Sequence, residues 1–125
     1  MVKNPVKKIL VVDDEPDVRA VIGIILKAEK FDVVEASNGL DAIALMKKDH
    51  VDLILLDIMM PRMDGLRTAH EIRKFSRTPI VVVSVKDDPT TMNMAKKLYN
   101  VEAYIKKPFH NTNLISTVKK VLKIK

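Results

Sequence analysis

The chain of 125 residues has no cysteine and no tryptophan. Without cysteine there is no disulfide framework, no thiolate nucleophile and no sulfur-ligated metal. Aromatic residues are scarce, with two tyrosines and three phenylalanines. Five rings are too few for a stacking groove along a single-stranded nucleic acid, and no reading motif accompanies them. Apolar runs are short, none near the ~20 residues a membrane span needs. Residues 1–8 carry no long apolar stretch behind their lysines. No secretory signal is therefore expected, and the cytoplasm is the expected location. Linker and low-complexity tracts are also missing, and no repeat stands out beyond an alternation of apolar runs and helical patterns.

What is present fits one ordinary domain. A chain of this length buries roughly 65–70% of its unfolded surface and needs no staple. The composition, 47% hydrophobic and 30% charged, is that of a soluble globular protein. The net charge is +6. Its lysines are spread in pairs, at Lys7 and Lys8, Lys47 and Lys48, Lys96 and Lys97, Lys106 and Lys107, and Lys119 and Lys120. Spread pairs read as solvated surface rather than a basic binding face, so neither direct nucleic-acid binding nor membrane contact is expected. The expected organisation is a single domain over residues 1–125. No effector domain is expected to be attached, because the chain stops about where its last helical pattern stops.

Three continuous apolar runs dominate: Ile9 to Val12, Leu53 to Leu56 and Ile80 to Val83. Short runs of β-branched and aliphatic residues, without alternation, suit parallel strands covered on both faces. Asp32 to Ala36 and Glu102 to Lys106 are weaker candidates. Helical stripes lie between them: Val18, Val21, Ile22 and Ile25; Leu40, Ile43 and Met46; Leu66, Ala69 and Ile72; Met94, Ala95 and Leu98; Leu114, Val118, Val121 and Leu122. Start signals agree with these stripes. Asp14 or Glu15 precedes Pro16, Ser37 and Asn38 precede the second stripe, and Asp64 the third. Asp88 with Pro89 precedes the fourth, and Asn111 or Thr112 the fifth. Five strand–helix units in strict alternation predict an α/β fold, a doubly wound five-stranded parallel sheet with right-handed crossovers.

In such a sheet, ligands bind beyond the carboxyl ends of the strands. Those ends carry Asp13, Asp14 and Glu15, then Asp57, then Ser84, then Lys106, Lys107 and Pro108. Crowded carboxylates repel, and a hard divalent cation relieves the repulsion. Oxygen donors with no histidine nearby favour Mg²⁺ or Mn²⁺ over zinc. A lysine ammonium and a serine hydroxyl complete a set suited to phosphoryl transfer, where positioning and charge neutralisation do most of the work.

The segment Asp57-Ile-Met-Met-Pro-Arg-Met-Asp-Gly65 resembles the phosphoacceptor signature of response-regulator receiver domains. Val11-Val-Asp-Asp-Glu15, Ala36-Ser-Asn-Gly39 and Tyr104-Ile-Lys-Lys-Pro-Phe109 resemble the other signatures of that family, in the same order. The resemblance runs from about Lys7 to Leu122. It implies a flavodoxin-like strand order of 2-1-3-4-5 and a signalling switch rather than a classical enzyme. It further implies that Asp57 accepts a phosphoryl group from the phosphohistidine of a histidine kinase or phosphotransfer protein. Mg²⁺ would sit on Asp14, Asp57 and the main-chain carbonyl of Met59, with Asp13 assisting through water. Lys107 would pair with Asp57 and then with the phosphoryl group. Ser84 would donate to a phosphoryl oxygen, Tyr104 would follow as the switch aromatic, and Pro108 would be a cis proline that turns Lys107 inward. An output partner downstream is implied, with the chain a monomer or a phosphorylation-dependent dimer.

Other readings are weaker. Glu15 and Asp17 are an acidic helix start, Asp64 is a cap, and Gly65 is turn chemistry. His50, His70 and His110 lack metal-ligand spacing. The methionines read as core filler, Met59 and Met60 excepted because they flank Asp57. An aspartate-nucleophile phosphatase would carry a second acid where Met59 stands. The sequence departs from the family pattern at Val85, after Ser84, and at Met59, whose thioether is a poor hydrogen-bond partner. It departs again at Asn100, in place of a glycine.

Overall fold

A computed structural model describes residues 6–61 and 63–124. The expectation of no secretory signal rests mainly on residues 1–5, which lie outside that range. Five strands, β1 (Lys8–Val12), β2 (Asp32–Ala36), β3 (Leu53–Leu56), β4 (Ile80–Ser84) and β5 (Ala103–Lys106), alternate with five helices. These are α1 (Pro16–Ala28), α2 (Gly39–Lys48), α3 (Gly65–Arg73), α4 (Pro89–Tyr99) and α5 (Asn111–Leu122). All strand pairs are parallel, in the order β2-β1-β3-β4-β5. Among the described residues, no helix is long and apolar enough to cross a membrane.

The continuous apolar runs are explained by two cores, one on each face. Leu10, Val12, Ile54, Leu56, Ile80 and Val82 pack on the face with Ala42, Met46, Ala69, Ile72 and Ala95 from α2, α3 and α4. Ile9, Val11, Leu53, Leu55, Val81 and Val83 pack on the other with Ile22, Ile25, Leu26, Leu114 and Val118 from α1 and α5. Successive side chains along a strand point to opposite faces, so a strand buried on both must be apolar at every position. Truncating one of these fully buried aliphatics to alanine costs about 2–5 kcal/mol.

Local signals mostly act as expected. Asn38, Asp64 and Asp88 each accept a hydrogen bond from a backbone N–H in the first turn of their helix. Asn100 closes α4 in the left-handed region at φ 53°, a conformation asparagine tolerates better than most residues. The start of α5 differs: its cap is His110, with no side-chain bond, and Asn111 is already helical. The stripe on α4 differs more. Thr91 and Ala95 face the sheet, whereas Met94 and Leu98 are 39% and 61% exposed. A buried threonine is affordable there because its hydroxyl donates to Asp88 Oδ2 at 2.9 Å. Val21 and Leu40 likewise lie outside the core. The filler reading holds for Met46 and fails for the exposed Met94; of the two methionines excepted from it, Met60 is buried and Met59 exposed.

Candidate phosphoryl-acceptor site

The register explains why residues distant in sequence meet. Val12 lies beside Leu56 in the β1–β3 pairing, so the next residues, Asp13 and Asp57, emerge side by side. Asp57 N–H donates to the Val12 carbonyl at 3.0 Å, which extends the ladder to Asp57 itself. On the other side, Ser84 lies beside Lys106, and Lys107 N–H donates to the Ser84 carbonyl at 2.9 Å. The Lys107–Pro108 peptide is cis.

The result is a compact charged cluster. Asp13, Asp14 and Asp57 each offer a carboxylate oxygen, and the three lie within 4.8 Å of one another. Asp13 and Asp57 are buried, 2% and 5% exposed, while Asp14 is partly open. The Lys107 ammonium bridges the buried pair, donating to Asp13 Oδ2 at 2.7 Å and Asp57 Oδ2 at 3.0 Å. Asp13 therefore meets Lys107 directly, whereas the expectation paired that lysine with Asp57. Asp57 Oδ1 accepts from Met59 N–H at 3.0 Å, and Asp13 Oδ1 from Glu15 N–H at 2.9 Å.

Electrostatics follow from this crowding. Burial raises the Asp13 carboxyl above its ordinary value, against the pull of Lys107 and the Glu15 N–H, and the Asp57 charge adds to the rise. Burial would lower Lys107, but its hydrogen bonds to Asp13 and Asp57 prevail and raise it. Three carboxylates against one ammonium leave the cluster negative. It fits a hard divalent cation, which prefers oxygen donors and tolerates an open, hydrated side such as that at Asp14.

Ser84 is fully buried, and its hydroxyl oxygen accepts from Lys86 N–H at 3.3 Å. The half-buried Tyr104 donates its hydroxyl to the Lys86 carbonyl. Burial raises the Tyr104 phenol, helped by the charges of Asp88, Asp57 and Asp87. Lys106, at the neighbouring position, turns outward to Asp87 at 2.9 Å. Val85 is exposed beside the cluster.

Gly65 is held to glycine by space rather than by a turn conformation. A Cβ there would stand 2.3 Å from the Asp57 carbonyl oxygen and 2.5 Å from Ile58 Cα. None of the described glycines has a left-handed φ. The start of α3 therefore presses directly on the Asp57–Ile58 backbone. Sequence reasoning missed Arg19, whose guanidinium donates to the Asp13 carbonyl at 2.6 Å and pairs with Glu35 at 3.0 Å. Its position on α1 distinguishes it from other surface arginines only once the fold brings Glu35 alongside. It also missed Lys86, whose amide and carbonyl hold Ser84 and Tyr104.

A doubly wound parallel sheet thus carries an acidic cluster and a bridging lysine beyond its strand ends. The family model described as "Response regulator receiver domain" matches residues 9–119, and the chain belongs to that family. It is 34% identical over 117 residues to a probable transcriptional regulator, ycf27, of Porphyridium aerugineum, covering 94% of this chain and 48% of that protein. The chain thus spans about half the length of that curated relative. Among solved structures it resembles the Thermotoga maritima response regulator TrrA in complex with Mg²⁺ and BeF. That match has 33% identity and a TM-score of 0.80 over 92% of this chain and 98% of TrrA. It also resembles the Vibrio cholerae chemotaxis protein CheY4, with 26% identity and a TM-score of 0.87 over 94% of this chain and 99% of CheY4.

Proposed function

We propose that this chain is a phosphoacceptor receiver domain in which Asp57 takes a phosphoryl group from the phosphohistidine of a histidine kinase or phosphotransfer protein. The observation that carries the reading is the Lys107 ammonium, which bridges Asp13 and Asp57 inside a cluster of three carboxylates. A carboxylate oxygen of Asp57 attacks phosphorus, the P–N bond to the donor imidazole breaks, and an aspartyl phosphate forms. Asp13, Asp14, Asp57 and the main-chain carbonyl of Met59 would hold Mg²⁺, which supplies charge neutralisation at the phosphoryl oxygens when bound.

The new group brings nearly two negative charges and strong acceptors. Lys107 follows the charge from the carboxylate to the phosphoryl group. Ser84 turns its hydroxyl toward a phosphoryl oxygen and releases the Lys86 N–H. Tyr104, tied to the carbonyl of that same Lys86, is freed to move inward, and the surface of α4 and β5 changes for an output partner. A single receiver unit over residues 1–125, acting in the cytoplasm as a monomer or as a phosphorylation-dependent dimer, completes the reading. An aspartate-nucleophile phosphatase is disfavoured because the exposed Met59 offers no acid or base.

Incubation with acetyl phosphate and Mg²⁺, followed by intact mass, tests this. One phosphoryl adduct per chain is expected, lost in Asp57→Asn and on chelation of the metal. An adduct that persists in Asp57→Asn would remove Asp57 from the role.

A further inference from the structure

Met59 is the most exposed methionine among the described residues. Its side chain is 53% exposed, while its own N–H is fixed on Asp57 Oδ1. With Ile58, Met60, Asp64, Leu66 and Lys86 it lines an open hollow of about 450 Å³. Neighbouring Met60 is buried among Leu56, Ile58 and Ala69. Apart from Met59, Met94 is the most exposed methionine among the described residues, and it sits on α4, away from the carboxylates.

We propose that Met59 is a site of reversible oxidation by hydroperoxides, and that its oxidation shortens the life of the aspartyl phosphate. The proposal rests on the phosphoacceptor reading of Asp57. The peroxide O–O bond breaks and one oxygen is transferred to the Met59 sulfur, which loses two electrons and becomes a sulfoxide. The peroxide leaves as an alcohol, or as water when it is hydrogen peroxide. Exposure selects Met59 over Met46 and Met60, since oxidation follows access to the sulfur.

The functional consequence comes from polarity. A thioether is a weak acceptor and gives a water molecule little hold. A sulfoxide oxygen is a strong acceptor on a flexible stem. It can hold a water molecule next to the phosphoryl group that Asp57 carries. Hydrolysis of an aspartyl phosphate needs such a water positioned for attack. Reduction of the sulfoxide by a methionine sulfoxide reductase restores the thioether and the longer lifetime.

The test uses the full chain treated with hydrogen peroxide, with peptide mass spectrometry to quantify each sulfoxide. Phosphate is loaded from acetyl phosphate with Mg²⁺, the donor is removed, and phosphate loss is followed. Met59 should oxidise first, and the oxidised chain should lose phosphate roughly fivefold faster, the effect of about one net hydrogen bond on a barrier. Reductase treatment should restore the slow rate. Met59→Gln should be fast without peroxide, Met59→Leu should keep its own untreated rate after peroxide, and Met94→Leu should retain the response. Oxidation of other methionines ahead of Met59, or an unchanged lifetime once Met59 is oxidised, overturns the inference alone. A chain that takes no phosphate before any peroxide overturns the reading of Asp57, and the inference with it.

Discussion

The two ends of the sheet both gather lysine and carboxylates, and they use them differently. At the amino end, Lys8 pairs with Asp49 at 3.2 Å and His50 with Asp52 at 2.9 Å, and Lys8 N–H donates to Asp52 at 2.8 Å. Water reaches most of these groups, so the pairs are weak and interchangeable. At the carboxyl end, Lys107 joins Asp13 and Asp57, all three largely buried. There the same chemistry is strong, because burial removes the screening that makes surface pairs cheap to break. A charged cluster becomes a device when the fold denies it water and leaves its charge unbalanced.

The largest effect should come from closing the space that the carboxyl end requires. Gly65→Ala drives a methyl group into the Asp57 carbonyl and Ile58 Cα. A loss of about 3 kcal/mol in urea unfolding is expected, because the obstacle is backbone and cannot rotate aside. A loss below ~1 kcal/mol would mean that α3 does not press on the acceptor as described.

Removing the ammonium comes next. Lys107→Ala leaves Asp13 and Asp57 facing each other, and about 2 kcal/mol of stability should go, less than for a fully dry pair because the rim admits water. Added Mg²⁺ should stabilise this variant more than the parent, since it then has more negative charge to neutralise. Thermal unfolding with and without the metal reads both effects. Equal metal responses would break the link between the lysine and the cation site.

A smaller change sharpens the comparison without disturbing the fold. Met59→Asn supplies a polar group beside the acceptor, and the phosphoryl lifetime should fall roughly fivefold, with stability unchanged within ~0.5 kcal/mol. A lifetime equal to the parent's would show that the thioether does not govern water there.

The smallest effect belongs to the amino end. Burial works to raise the Asp52 carboxyl, but the Lys8 N–H, then His50 and Lys7, bring it below its ordinary 3.8. A carboxyl depressed in the folded state contributes stability above its unfolded pKa and loses it as the pH falls through the folded value. Asp52→Asn should therefore cost under ~1 kcal/mol at neutral pH. The difference from the parent should vanish in acid below the ordinary carboxyl range. Urea midpoints across that range check the sign; a gap that widens on acidification would reverse it.

Residues at strand ends and helix starts carried much of their meaning in the sequence. Leu53 to Leu56 had to be buried on both faces, and the Asp57 that follows it had to emerge at a strand end. Asn38, Asp64 and Asp88 cap their helices because a short side-chain acceptor next to free N–H groups acts within four residues. Longer-range features were less legible. Met94 and Leu98 have helical spacing, yet they face water, because α4 presents Thr91 and Ala95 to the sheet instead. Periodicity fixes which residues share a stripe but not which stripe the sheet receives. Gly65 looked like a turn residue, because one sequence cannot reveal that the β3–α3 connection folds the Asp57–Ile58 backbone against it.

By itself the sequence determined the alternation of five strands and helices, the apolar runs, and the acids, serine and lysine waiting at four strand ends, since these depend on local backbone preference and on burial of neighbouring side chains. Only the tertiary structure decided that Lys107 spans Asp13 as well as Asp57, that Gly65 abuts the backbone of Asp57 and that Met59 stays in the open. Those facts depend on distances between segments up to 94 residues apart in sequence. Such distances are set by parallel register and by the packing of helices onto both faces, which no local pattern encodes.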